Sequence, residues 1–291
     1  MSVVALPSGG GPSALARTRA LTRRLRPGVI LASAVLLFFV IALAVPSALT
    51  SQDPYLVNLS ATMEAPSIHH IFGTDQSGRD LYSRVIFGTR DALLIGAGAT
   101  GLAMAVAILL GMAAGVFGGI VDVVVNRFAE VMFAFPVLIL TLLLVSIFGP
   151  SATTTLLAVA VGSAPGYTRM IRGQVLAVRD AGYVEAALAL GHPYRSIVRR
   201  HIFPNAIRPL VVVATLGIGQ SIVWASGLSF LSLGVAPPSP EWGALLDAGR
   251  QYVAQQWWLE VMPGLAIVLF ALAVTVLGRA LSRHLEEGTT R

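Results

Sequence analysis

The chain has 291 residues, is 55% hydrophobic and only 12% charged, about half the charged share of a soluble domain, so a bilayer is the solvent that accommodates its apolar excess. It has no cysteine, which excludes a disulfide framework, a thiolate metal site and a cysteine nucleophile. The formal charge is +6 and all 20 basic residues are arginine; without the lysine of a phosphate loop the chain cannot be a standard P-loop ATPase, and ATP-driven work must come from a partner.

In chain order, residues 1–27 are rich in Gly, Pro, Ser and Arg and read as a disordered cytoplasmic tail. A helix needs roughly 20 apolar residues to cross hydrocarbon, and Gly28 to Leu49 is the first such stretch. Its apolar run exceeds the usual core of a signal peptide, so it is retained as a span despite Ala42-Leu43-Ala44. The second span lies between Asp91 and Asp122. Val131 to Thr168 carries no charge and is too long for one helix; Gly149-Pro150-Ser151 divides it into spans at about 127–148 and 152–172. Pro209 to about Gly234 makes the fifth, and Val261 to Gly278 the sixth. The prediction is an all-α, multi-pass membrane protein with six transmembrane helices over residues 28–284. Its outer loops fall at about 50–91 and 235–260, and a short tail occupies 285–291.

Arginines set the orientation. Sixteen fall on one side, in the N-terminal tail, at Arg127 between spans two and three, between spans four and five, and after span six; four (Arg79, Arg84, Arg90 and Arg250) fall on the other side. This places both termini in the cytoplasm and argues against nucleic-acid binding. Trp242, Tyr252, Trp257 and Trp258 fall where an outer interfacial belt is expected.

The segment at about 174–205 is the informative one. It reads as a short helix, a glycine stop at Gly191, a second helix entered at Pro193, and a break at Pro204. Small alanines on one face suit docking in a partner's groove, while the arginines equally suit an amphipathic hairpin lying on anionic lipid. Glu185-Ala186-Ala187, then Gly191, then Ile202-Phe203-Pro204 resembles the EAA loop of binding-protein-dependent ABC importer permeases. His201 and Phe203 depart from the general pattern but match its peptide and nickel branch. Two further stretches, Phe72-Gly73-Thr74-Asp75 through Gly78-Arg79-Asp80 to Ser83-Arg84, and Phe230 through Pro237-Pro238 to Trp242-Gly243, are similar to the C-type permease of dipeptide and oligopeptide importers. Glu241 and the Gly278-Arg279-Ala280-Leu281 end depart from that pattern.

The resemblance, which runs from about residue 70 to 280, implies a type I ABC importer permease fold and a bacterial inner-membrane location. It implies a helix from Tyr183 to Gly191 that seats in an ATPase groove, with Glu185, Ala186, Ala187 and Pro204 belonging to the same coupling segment. It also implies a second permease chain, two cytoplasmic ABC ATPase subunits that hold ATP and Mg, and an extracytoplasmic peptide-binding protein, within membrane lipid. No cofactor, metal site or catalytic residue is expected of this chain. Asp75, Arg79 and Trp242 are candidates to face the binding protein, with local Asp/Arg pairing as the other reading. Gln220 and Ser221, polar in mid-span, are candidates for the translocation path, although Gly217, Ser221 and Ala225 also read as a close-packing stripe. Glu130 is expected to pair with Arg127. Nickel-chelate import is the nearest alternative, and a proton-coupled secondary transporter, which favours buried acids at mid-membrane, is the alternative of another class.

Overall fold

The computed structural model describes residues 27–289, with side chains to residue 283. The tail expected over 1–27 lies outside the described residues except for Pro27, which opens the first helix. The helices are α1 (Pro27–Ala44), α2 (Leu81–Phe117), α3 (Gly119–Ala134), α4 (Val137–Phe148), α5 (Ala152–Arg179) and α6 (Gly182–Ala189). They continue with α7 (Tyr194–Ile197), α8 (Phe203–Ile207), α9 (Leu210–Phe230), α10 (Trp242–Gly249) and α11 (Trp258–Thr289). Among the described residues there is no strand, only an isolated bridge between Thr74 and Asp80.

Four helices, α1, α2, α9 and α11, are each long and apolar enough to cross a membrane. The expected third span is not one helix. α3 and α4 meet at a bend of 87°, because Phe135 is extended (φ −82, ψ 121) and Pro136 caps α4. A residue before proline is driven out of helical backbone, and proline supplies no N–H to continue the ladder. The fourth, α5, has 28 residues but carries threonines, glycines and Pro165 in place of a continuous apolar run. The sixth does not stop at Gly278: α11 continues through Arg279 and Arg283 to Thr289, so the tail expected at 285–291 begins as helix.

α2 is the axis of the bundle. It lies along α5 and α9, while α11 packs on α9 and α1. Small residues let it come close. A Cβ on Gly111 would meet Thr168 O at 2.8 Å, and one on Gly115 would meet Val175 at 2.6 Å. With Ala99, Ala103 and Ala107 fully buried on the same line, this is the small-residue seam that substitutes for hydrophobic driving force in lipid. Three apolar clusters stack along it. One gathers Phe39, Trp242, Trp258 and Phe270, the middle one Ala99, Ala158 and Leu228, and the last Ile171, Val184, Ile197 and Ile202.

Candidate coupling and translocation sites

The last cluster positions the segment between α5 and α9. Val184 and Ala187 of α6 are buried in it, while Tyr183, Glu185 and Ala186 are exposed. One face therefore anchors the helix and the opposite face is free. Its end is a Schellman stop: Gly191 N–H donates to Leu188 O (2.9 Å) and His192 N–H to Ala187 O (3.2 Å). Gly191 has φ +76, which a β-branched residue resists, and nothing lies within 4 Å of a Cβ placed there. A side chain at this position costs backbone strain, not collision.

Pro204 does not break the chain as expected. The helical run from Tyr194 to Ile207 passes through it by way of a π turn at Val198–Ile202, in which Phe203 N–H reaches back to Val198 O. The wider turn absorbs the missing proline donor, and the break falls at Arg208-Pro209 before α9. This run and the end of α5 are both tied to the end of α2. Arg179 Nη1 donates to Gly115 O (3.1 Å) and Tyr194 Oη to Val116 O (3.0 Å), filling carbonyls that a helix end leaves unpaired. Arg172 grips Asp122 of α3 with both Nε and Nη2, the latter at 2.6 Å from Oδ2.

The two translocation candidates separate. Ser221 is buried and shares a hydrogen bond with Thr100 of α2 (2.8 Å), so here it joins two helices. Gln220 is exposed in the middle of α9. One turn further, Trp224 borders a cavity of about 420 Å³ with Phe133, Val137, Gly162, Ser163 and Tyr167. Arg169 lies over the Phe133 ring, 4.7 Å from its centroid. Glu130 pairs with Arg127 at 2.8 Å, both exposed.

At the opposite end, the three residues expected to face a binding protein are buried. Asp75 accepts from Arg79 Nε (2.8 Å), from Arg84 Nη1 and from two backbone N–H groups. Arg84 Nη2 also donates to Pro238 O (3.0 Å), which ties the two loops together. Trp242 is fully buried, packs edge-on against Phe39 and donates Nε1–H to Val85 O at 2.9 Å. These side chains hold the loops to the top of α2, because a buried carboxylate and guanidinium persist only when paired. Neither does an aromatic belt form as expected: Trp258 is buried as well, and of the three tryptophans in this connection only Trp257 is half exposed.

Glu241 was visible only as a departure from the family pattern. It is the N-cap of α10, accepting from Gly243 N–H (3.0 Å) and Ala244 N–H (2.9 Å). An acidic residue just before a short apolar helix is the signal that finds it. The Arg172–Asp122 pair, 50 residues apart, leaves no such local trace.

Residues 107–291 match the model of the family described as binding-protein-dependent transport system inner membrane component. The chain is 41% identical over 230 residues to the probable D,D-dipeptide transport system permease protein DdpC of Escherichia coli (strain K12), covering 79% of this chain and 77% of that one. It is 36% identical to the dipeptide transport system permease protein DppC of Alkalihalophilus pseudofirmus, covering 86% and 82%. To the glutathione transport system permease protein GsiD of Pectobacterium atrosepticum it is 38% identical, covering 77% and 74%. Among solved structures, inward-facing MetNI methionine ABC transporter aligns with a TM-score of 0.56 at 18% identity, covering 69% of this chain and 95% of that chain. An amino acid ABC transporter with histidines aligns at 0.52 and 21% identity, covering 66% and 91%.

Proposed function

The chain belongs to the family of binding-protein-dependent transport system inner membrane components, and on that premise we propose that it is one permease half of an ABC importer of short peptides. The fold is that of type I ABC importer permeases. Peptide, and not nickel chelate, is the cargo that the named relatives favour.

In this reading α6 is the coupling helix. The observation that carries it is a short helix anchored on one face by Val184 and Ala187, with Tyr183, Glu185 and Ala186 presented on the other and a fixed stop at Gly191. An ATPase subunit seats on the free face and works by binding it differently in its two states. The chain performs no covalent chemistry; ATP and Mg belong to the ATPase partners. A second, homologous permease completes the path, an extracytoplasmic peptide-binding protein delivers cargo, and Gln220 faces the path because a carboxamide is costly against lipid.

The test is peptide uptake and ATPase activity of the reconstituted importer, normalised to assembled complex. Glu185→Lys removes a charge-assisted contact worth about 1.5–3 kcal/mol and is expected to cut coupled uptake about tenfold or more. Gly191→Val forces a β-branched residue to φ +76 and is expected to do the same through the turn. Both variants should insert normally, since neither lies in a span. Wild-type rates for both would reassign α6 as a lipid-facing hairpin.

A further inference from the structure

The cavity beside Trp224 lies midway along α5 and α9, and the exposed face around it is not a lipid face. Gln220 is exposed on it one helical turn from Trp224, and hydrocarbon does not accept an unpaired carboxamide. The cavity, about 420 Å³, falls within the roughly 300–1,000 Å³ of small-ligand sites. Its walls are of two kinds. Phe133, Tyr167 and Trp224 offer flat apolar surface with two polar tips, and Gly162, Ser163 and Gly166 form a low floor that admits a second backbone.

Arg169 completes the arrangement. It is exposed on the same helix, three residues beyond Gly166, and among the described residues no carboxylate pairs with it. Its guanidinium is fixed over the Phe133 ring that walls the cavity, Cζ at 4.7 Å from the centroid. A planar cation with open hydrogen-bond donors is suited to a carboxylate. In the last residue of a peptide the carboxylate and the side chain leave the same Cα, so groups that bind them must lie a few ångströms apart. Arg169 and the cavity meet that condition.

We propose that Arg169 and the Phe133–Tyr167–Trp224 cavity form a transit site for the C-terminal residue of the peptide, the guanidinium holding the α-carboxylate and the cavity the side chain. This rests on the peptide-importer reading. The cavity contains no carboxylate for an ammonium group, so the site reads the C-terminus and not the N-terminus of the cargo. Gly166 sets the room available: a Cβ there makes only an ordinary contact with Phe133 at 3.7 Å, so a larger residue fits the helix and fills the site.

The experiment uses the whole importer in proteoliposomes, with alanyl-phenylalanine, its C-terminal amide and alanyl-p-benzoylphenylalanine as probes. Arg169→Gln is expected to lower uptake of the free acid about tenfold and leave the amide nearly unchanged, with Arg169→Lys in between. Gly166→Leu is expected to reduce uptake of alanyl-phenylalanine far more than that of dialanine. The photolabel should mark residues 162–167 or Trp224 in the wild type and lose that mark in Arg169→Gln, which decides the matter even where the binding protein rejects the amide. Equal loss of acid and amide, or labelling confined to lipid or to the partner permease, overturns the site while leaving the importer intact. Failure of the wild-type complex to import any free-acid dipeptide overturns the peptide reading itself.

Discussion

At the scale of single residues, the polar side chains that carry structure here are those a hydropathy reading treats as loop decoration. Glu241 is one: it lies in the connection before α10, almost wholly buried, with two backbone N–H groups on its carboxylate. Burial pushes its carboxyl above the ordinary 4.5, assisted by Asp91, while the N–H groups of Gly243 and Ala244 pull the other way. A carboxyl whose folded pKa is raised contributes stability that is complete below its ordinary value and is lost as the pH rises through the raised one. Glu241→Gln removes that titration and keeps an acceptor for the helix cap. The melting temperature of the wild-type complex is therefore expected to fall relative to this variant as the pH rises above 4.5. A pH-independent difference would show that the cap bonds cancel burial, and a melting temperature rising relative to the variant would show that they outweigh it. Asp75, Arg79 and Trp242 were legible as important from their motif, but not as buried. Spacing along a chain gives no sign of which loop folds over which, and Arg84 reaching Pro238 O connects positions 154 apart.

At the scale of elements, the sequence reading does best where termination chemistry is local. Gly149 ends α4 within the turn read at Gly149-Pro150-Ser151, and Gly191 ends α6, each legible from residue type; Ser151 in addition caps α5, accepting from Thr154 N–H (3.1 Å). It fails where a span is counted by hydropathy. Pro136 lies inside an unbroken apolar run, so composition joins α3 to α4 while backbone chemistry parts them. If the proline causes the 87° bend, Pro136→Ala should straighten it. Because the chain has no cysteine, spin labels at Val124→Cys and Leu143→Cys report this distance alone. Helical rise gives about 28 Å between them in a straight helix and about 20 Å across a right-angle bend. Pulsed electron resonance is expected to show the shorter distance in the wild type and a shift toward the longer one in the alanine variant. No shift would assign the bend to packing of α4 on α5. The π turn before Pro204 is the same lesson reversed: the proline was read as a break, yet a widened turn carries the helix through it.

At the scale of the molecule, α2 is a rod of 37 residues, about 55 Å, that joins both ends of the permease. One end begins at the Asp80 cap beside the Asp75–Arg84 cluster, and the other ends in carbonyls held by Arg179 and Tyr194. We propose from the arginine bias that the second end is cytoplasmic: a reporter after Ser282 is expected to read inside and one near Pro238 outside, and the same side for both would remove α11 as a span. Given that orientation, a push on α6 has a direct path to the outer loops. Two long-range bonds flank α6 and fasten it to α2, one from the end of α5 just before it (Arg179 to Gly115 O) and one from α7 just after it (Tyr194 to Val116 O), beside the apolar cluster around Ile197 and Ile202. Each bond contributes about 0.5–1.5 kcal/mol, somewhat more for the charged donor. Combining Tyr194→Phe with Arg179→Met removes both donors and preserves most of each side chain's packing. The ATPase partner should still dock on the unaltered face of α6, so hydrolysis persists. The motion it drives is then absorbed between α6 and α2, and peptide imported per ATP hydrolysed is expected to fall severalfold. An unchanged ratio would mean that the apolar cluster alone transmits the stroke, and a loss of ATPase activity equal to that of transport would place these two side chains in docking.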